Sequence, residues 1–321
     1  MERPHLFILG AGASLAAFPN GDADGRMLPL MNNLIEIVGL EETLSKHGYK
    51  SRHTNFEDLF SELFAENPHS ELLIEIEENV AEYFRSLALP EKPTIYDYLV
   101  LSLRPKDVIA TFNWDPFLFQ ALERNHQFTK GPHYYFLHGC AALGWCEKDK
   151  KQGRIGTTCP ICGNRYKPTQ LLYPIKEKDY NCDNYIASQW KNLQGALRQA
   201  FTFTIFGYRA PTSDVEAISL LREAWGPPET RNLEESEFID IIDEDILLER
   251  WTKFIHSHHY RYNRDFFKSF VARHPRRTCE VYWKGYMEIQ FWEENPVPRV
   301  ESLQQLWQWY EGLLEYEKES V

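Results

Sequence analysis

No apolar run in these 321 residues is long enough to span a bilayer. The first, Leu6 to Leu9, stops at Gly10, too soon for a signal-peptide core, and no cleavage site follows. No membrane contact is expected, and the cytoplasm is the expected compartment. Positive charge is also in deficit: 35 Lys and Arg face 47 Asp and Glu, a formal net charge of −12. Coating a nucleic acid needs clustered cations, so direct nucleic-acid binding is not expected. Cysteine is scarce, and its six positions, 140, 146, 159, 162, 182 and 279, are uneven. In a reducing compartment that clustering suggests a metal rather than disulfides. There is no internal repeat and no low-complexity segment. What remains is a globular composition, 43% hydrophobic and 26% charged, with length for one large or two medium domains.

The chain is organised around Leu6 to Ser14. Leu6-Phe7-Ile8-Leu9 reads as a buried parallel strand. It runs into Gly10-Ala11-Gly12-Ala13-Ser14 and then into a segment with helical potential. A strand, a small-residue turn and a helix start form a site where backbone approaches a pyrophosphate and free N–H groups attract it. The third glycine of the usual fingerprint is absent. Asp107 to Thr111 reads as the next buried strand. Asn113 and Asp115 lie just past its end, where open α/β sheets bind ligands. Asp115 also suits an N-cap, with Pro116 in the first turn of a helix over 116–122. His138 follows a strand-like run, 134–137, and precedes a glycine. Histidine changes charge near neutral pH and can take a proton from a ribose hydroxyl or a water. Cys159-Pro160-Ile161-Cys162-Gly163 is a zinc knuckle, whose two-residue spacing lets both thiolates reach one tetrahedral ion.

Three of these stretches, Gly10 to Ser14, Thr111-Phe112-Asn113-Trp114-Asp115 and His138-Gly139, occur in an order that resembles the sirtuin-like superfamily of NAD-consuming enzymes. That family has a GAG-x-S turn, a T-x-N-x-D motif and a catalytic His-Gly. Phe206-Gly207-Tyr208, with Pro211 and Asp214, looks like the G-Y-S-x-P-x-x-D segment of its bacterial branch. The resemblance covers roughly residues 5–225. It implies NAD as substrate, cleaved to nicotinamide and ADP-ribose. Gly10, Ala11, Gly12, Ala13 and Ser14 would hold the phosphates, with Thr111, Gly207, Tyr208 and Asp214 as further NAD contacts. Asp214 suits an N-cap equally well. Asn113 would position the nicotinamide-side ribose and water, His138 would be the base, and Asp115 completes the catalytic set. The resemblance also implies a structural four-cysteine zinc ribbon: Cys146, Cys159, Cys162 and Cys140, with Cys182 or a nearby histidine as alternatives to Cys140. In the bacterial branch such enzymes often deplete NAD during phage infection. A partner protein or phage trigger and a homo-oligomer are accordingly expected.

Two departures bear on the chemistry. Deacylating sirtuins carry G-I-P-D-F-R after the glycine turn and a peptide-pairing F-G-E after the ribbon. This chain has neither; Tyr173-Pro174-Ile175 stands in the second place, and proline weakens any strand a peptide would join. Hydrolysis is therefore expected. The alternatives are deacylation, ADP-ribosyl transfer, or a sensor that binds an NAD derivative without turnover; intact Asn113 and His138 argue against the sensor.

The expected fold is a Rossmann-like parallel sheet with helices on both faces. Residues 1–250 form the NAD-binding domain, with a helical insertion at 27–104 and the zinc ribbon at 139–170; 251–321 form a mixed C-terminal extension. Helices are expected near 28–38, 56–64, 72–87, 190–200 and 214–221, and strands at 201–206 and, last, 238–242. The insertion is expected only to pack on the sheet. The loop over 18–25 is expected to enclose a ligand. Residues 229–249, with nine acids and one arginine, are expected to form a solvated face. Arg273 to Arg277 reads as a basic surface spot, and metal binding by His256, His258 and His259 is not expected. Trp283, Phe291, Trp292, Trp307 and Trp309 make the extension aromatic-rich, suited to covering the sheet or to assembly and control.

Overall fold

The computed structural model describes residues 2–175, 180, 183–211 and 214–319. Among these residues, nine strands make two sheets. They are β1 (His5–Leu9), β2 (Val108–Thr111), β3 (His133–Phe136), β4 (Leu143–Cys146), β5 (Lys151–Arg154), β6 (Lys167–Pro168), β7 (Thr202–Phe206), β8 (Glu235–Ile239) and β9 (Tyr260–Asn263). The larger sheet has the order β3-β2-β1-β7-β8-β9 and is parallel throughout. Counting only its own strands, the order is 3-2-1-4-5-6, the doubly wound arrangement, which reverses direction between its first and fourth strands. Here those are β1 and β7. β4, β5 and β6 form a small antiparallel sheet, β5-β4-β6.

β1 is buried along its whole length. Phe7 and Leu9 enter one core and Leu6 and Ile8 the other, as the two-residue period of a strand between two helical layers requires. The first core is closed by helices Phe56–Glu66, Glu71–Ser86, Ile95–Leu101 and Phe117–Asn125, the second by Asn184–Gln199 and Val215–Trp225. The insertion is helical as expected. Asn55 caps its third helix by accepting from Glu57 N–H, and Ser70 caps the next from Leu73 N–H. Leu73, Ile76, Val80 and Phe84 are buried at helical spacing, whereas Phe64 turns outward.

The C-terminal part differs from expectation. The sheet does not end at 238–242: β8 begins at Glu235, and β9, beyond residue 250, forms the edge. The sheet thus crosses the boundary expected at 250. The acidic run is not a solvated face either, because Glu235 and Glu237 are buried within β8. A buried carboxylate needs partners, and the extension brings them. Arg261 Nε donates to Glu235 at 2.8 Å. Asn263 Nδ2 and Phe270 N–H donate to Glu237 Oε1 at 2.8 and 2.7 Å. Burial still pushes the Glu237 carboxyl up to about 7. Arg276 and Arg277 are buried, not a surface spot: Arg276 donates to Leu103 O and Tyr310 OH, and Arg277 to Glu293 O. The last helix, Leu303–Glu319, sets Leu306, Tyr310 and Leu313 into the fold, and Trp307 Nε1 donates to Asn125 Oδ1 at 2.8 Å. Among the described residues no helix is long and apolar enough to cross a membrane.

Candidate functional site

β1 and β7 end side by side where the sheet reverses, and the two turns that follow interlock. Gly10 N–H donates to Phe206 O and Gly12 N–H to Gly207 O, both at 3.0 Å. A Cβ on Gly10 would lie 2.6 Å from Gly207 O, and one on Gly12 2.7 Å from Gly207 Cα. These glycines therefore serve backbone-to-backbone contact. The Gly12 N–H, expected to face a phosphate, is spent on Gly207.

A polar network lies behind this turn. Ser14 Oγ donates to Asp115 Oδ2 at 2.7 Å and lies 2.7 Å from Tyr96 OH. Asn113 Nδ2 donates to Ser14 Oγ and to Gly10 O, each at 3.0 Å. Asn113 itself is held by its N–H, which donates to Thr111 Oγ1 at 3.0 Å. Asp115 Oδ1 accepts from Phe117 N–H at 3.3 Å, but the N-cap of the helix Phe117–Asn125 is Pro116 rather than Asp115, so the aspartate supports the helix start from one residue further out than expected. Burial dominates its titration and pushes the carboxyl up to about 6, against the Ser14 and Phe117 hydrogen bonds, which lower it.

His138 sits two residues past β3, its Nε2 3.3 Å from Tyr180 OH and its ring edge-on to Phe112 at 4.8 Å. Phe112 stacks on Tyr208 at 4.1 Å. Asp214 occupies the N-cap position of the helix Val215–Trp225 without a side-chain cap bond; its Oδ2 accepts from Tyr208 OH at 3.0 Å.

These groups surround a cavity of about 450 Å³. Gly10, Ala11, Gly12, Ser14, Asn113, Asp115, His138, Gly207, Tyr208 and Asp214 all line it. Ala13 and Thr111 do not; Ala13 packs in the core, and Thr111 supports Asn113 from below. The loop over 18–25 does not form the wall expected of it. Asp22 ties it down by accepting from the N–H groups of Asp24, Arg26 and Ala88. The wall comes just after, from Leu28 to Met31, with Phe84 and Trp114 from elsewhere. Glu57 and Arg209 also line the cavity, and Arg209 is paired with Asp240 through Nη2 at 2.9 Å. Nothing in the sequence singled out Glu57, which stands in the first turn of the helix Phe56–Glu66, where an acid is ordinary. Nor did it single out Tyr96, whose neighbours Thr94 and Asp97 form a capping box that marks the helix start but not where the phenol points.

The metal site lies apart in the small sheet. Cys146, Asp149, Cys159 and Cys162 each place one ligand atom within 4.8 Å of the others. Cys146 ends β4, Asp149 comes from the turn into β5, and the knuckle closes with Gly163 N–H donating to Cys159 O at 2.9 Å. Cys140, expected as a ligand, is elsewhere: it is buried with its Sγ 3.7 Å from Asp115 O, and burial pushes its thiol up to about 12. Asp149 takes that corner. Cys182 lies outside the described residues. Three thiolates and one carboxylate, with no open position, suit a structural zinc ion.

No family model matches the sequence, and no curated protein matches it. Solved structures are similar. A Sir2 homologue–NAD complex is 14% identical, over 82% of this chain and 84% of that one, with a TM-score of 0.41. A mutant Sir2 homologue complexed with 2′-O-acetyl ADP-ribose is 14% identical, over 82% and 87%, with a TM-score of 0.45. Sir2 bound to an acetylated peptide is 14% identical, over 89% and 93%, with a TM-score of 0.41. The protein is thus an α/β protein of doubly wound topology with a small metal-ribbon insertion, similar to solved Sir2 structures.

Proposed function

We propose that the cavity binds NAD and hydrolyses its nicotinamide–ribose bond. The observation that carries this reading is the meeting of Asn113, Asp115, Ser14 and His138 around one cavity at the reversal point of a doubly wound sheet. Ligands of such sheets bind at that point. In the reaction the C1′–N bond breaks, and its electron pair neutralises the pyridinium as nicotinamide leaves. Positive charge builds on the ribose ring. Water adds to C1′ and gives its proton to His138, leaving ADP-ribose. Both Asn113 amide hydrogens are committed to Gly10 O and Ser14 Oγ, so its carbonyl oxygen is the group that orients a ribose hydroxyl or the water. Arg209 is the cationic side chain of the lining and would face the diphosphate. Apolar walls from Leu28 to Met31, Phe84 and Trp114 keep bulk water from the charged ribose.

The zinc ion would be held by Cys146, Asp149, Cys159 and Cys162 and would supply folding free energy rather than chemistry. The cellular role proposed is NAD depletion in antiphage defence in the bacterial cytoplasm, released by a partner protein or phage trigger and carried out by a homo-oligomer.

The test is mass spectrometry of products from NAD, with and without an acetyl-lysine peptide. Nicotinamide and ADP-ribose without peptide support hydrolysis. Nicotinamide only with peptide, together with acetyl-ADP-ribose, would establish deacylation instead.

A further inference from the structure

The helix Ile95–Leu101 belongs to the insertion expected only to pack on the sheet. We infer that its Tyr96 is a positioning residue of the site, acting through Ser14 to hold the Asn113 amide in one orientation. The inference rests on the NAD-hydrolase reading above.

Ser14 Oγ has three polar neighbours: Asp115 Oδ2 at 2.7 Å, Tyr96 OH at 2.7 Å and Asn113 Nδ2 at 3.0 Å. A serine hydroxyl offers one hydrogen and two lone pairs. An ionised aspartate only accepts, so the hydrogen goes to Asp115. Tyr96 and Asn113 must then both donate, and every valence of Ser14 is used. The other Nδ2 hydrogen of Asn113 goes to Gly10 O. The directions of all four bonds therefore follow from one another. The phenol is suited to its part: it is buried, and burial pushes its titration far above the ordinary range, so it stays a donor. Phe18 and Phe117 flank its ring at centroid distances of 6.1 and 6.2 Å. The helix start beneath it is fixed by the Thr94–Asp97 capping box, with Asp97 in turn bound by Arg124.

Without the phenol, the buried Ser14 keeps an unmet lone pair. Its hydroxyl then turns, or a water enters, and the acceptor that holds Asn113 loosens. Tyr96 does not itself line the cavity; its hydroxyl reaches the lining through Ser14 at 2.7 Å, the short contact, and lies 3.5 Å from Asn113 Nδ2, so the main route of its effect is Ser14.

A double-mutant cycle of Tyr96→Phe and Ser14→Ala tests this, read on nicotinamide release and on NAD affinity by calorimetry. Loss of one buried hydrogen bond predicts a drop of roughly tenfold in turnover for Tyr96→Phe. KM should stay within about twofold, because substrate contacts remain. In the Ser14→Ala background, Tyr96→Phe should have no further effect. Additive losses would mean that the Tyr96 hydroxyl acts independently of Ser14, for instance through its own 3.5 Å contact with Asn113 Nδ2, and would overturn the inference while leaving the proposed function standing. A wild type that neither binds NAD nor releases nicotinamide would overturn both. If Tyr96→Phe fails to fold, Tyr96→3-fluorotyrosine, which keeps the shape and alters donor strength, replaces it in the cycle. An unchanged rate there would equally overturn the inference.

Discussion

Gly12 donates its N–H to the carbonyl of Gly207 at 3.0 Å, across the point where the sheet reverses direction. Gly207 stands at φ +64°, and a Cβ on it would lie 2.2 Å from Ala13 N. The floor of the cavity is therefore set by two backbones in contact. Gly207→Ala should cost strain of about 1–3 kcal/mol plus overpacking of about 1–3 kcal/mol, seen as a lower urea midpoint. Gly25, at φ +77° with nothing within 4 Å of its added Cβ, is the control. Gly25→Ala should cost only about 1 kcal/mol. Equal costs at the two positions would contradict the interlocked floor.

The buried Asp115 makes stability depend on pH. Its carboxyl titrates at about 6 in the folded protein and at about 3.9 unfolded. Between those values the folded state binds more protons, so stability from this group is highest below about pH 4 and falls as pH rises to about 6. The fall is on the order of 2–3 kcal/mol. Asp115→Asn removes the titration while its amide oxygen still accepts from Ser14. Unfolding free energies measured from pH 4 to 7 should show a wild type that loses ground to the variant across this window and not above it. His5 acts in the opposite sense. Burial lowers it to about 3, so the stability it brings is present above about 6.5 and is lost as pH falls toward 3.

His138→Ala should lower nicotinamide release by about a hundredfold to ten-thousandfold, the range for a lost general base. Asn113→Ala should be as severe, because it misplaces both ribose and water. His138→Ala should melt within a few degrees of wild type, whereas Asn113→Ala also takes a donor from Gly10 O and Ser14 Oγ and should melt lower. Wild-type rates in either variant would remove that residue from the mechanism.

Metal analysis should find one zinc per chain. Cys159→Ser and Cys162→Ser should lose it and fold poorly, because structural zinc in small peptides binds with about 10–16 kcal/mol that is also folding free energy. Asp149→Ala should release zinc to a chromogenic chelator faster than wild type. Cys140→Ser should keep full zinc content, its sulfur being turned toward Asp115 O. Zinc loss in Cys140→Ser with retention in Asp149→Ala would reverse the ligand assignment.

A chain ending at residue 250 should not fold. Truncation removes β9 and strips Glu235 and Glu237 of Arg261, Asn263 and Phe270 N–H. It also removes Leu306, Tyr310 and Leu313 from the core. Leu306→Ala in the full chain should alone cost about 2–5 kcal/mol, measured by chemical unfolding. A soluble truncated chain with a native circular dichroism spectrum would show the extension to be separable.

What the sequence by itself determined is local. The all-apolar β1 announced a strand buried on both faces, the turn at Gly10 to Ser14 its helix, and the order of Asn113 and His138 the strand ends that border the cavity. The Cys159–Cys162 spacing announced half a metal site. These signals lie within a few residues, where periodicity and backbone freedom are encoded directly. What only the tertiary structure decided is which distant group answers each buried polar atom. Asp149 reads like any exposed turn acid until the hairpin brings it to three sulfurs. Glu235 and Glu237 read as solvated until β9 supplies Arg261 and, 26 residues along from Glu237, Asn263. Tyr96 reads as a core aromatic until its hydroxyl meets Ser14, 82 residues away. Burying a polar group is costly unless a partner is present, and that partner is chosen by the path of the whole chain rather than by its neighbours in sequence.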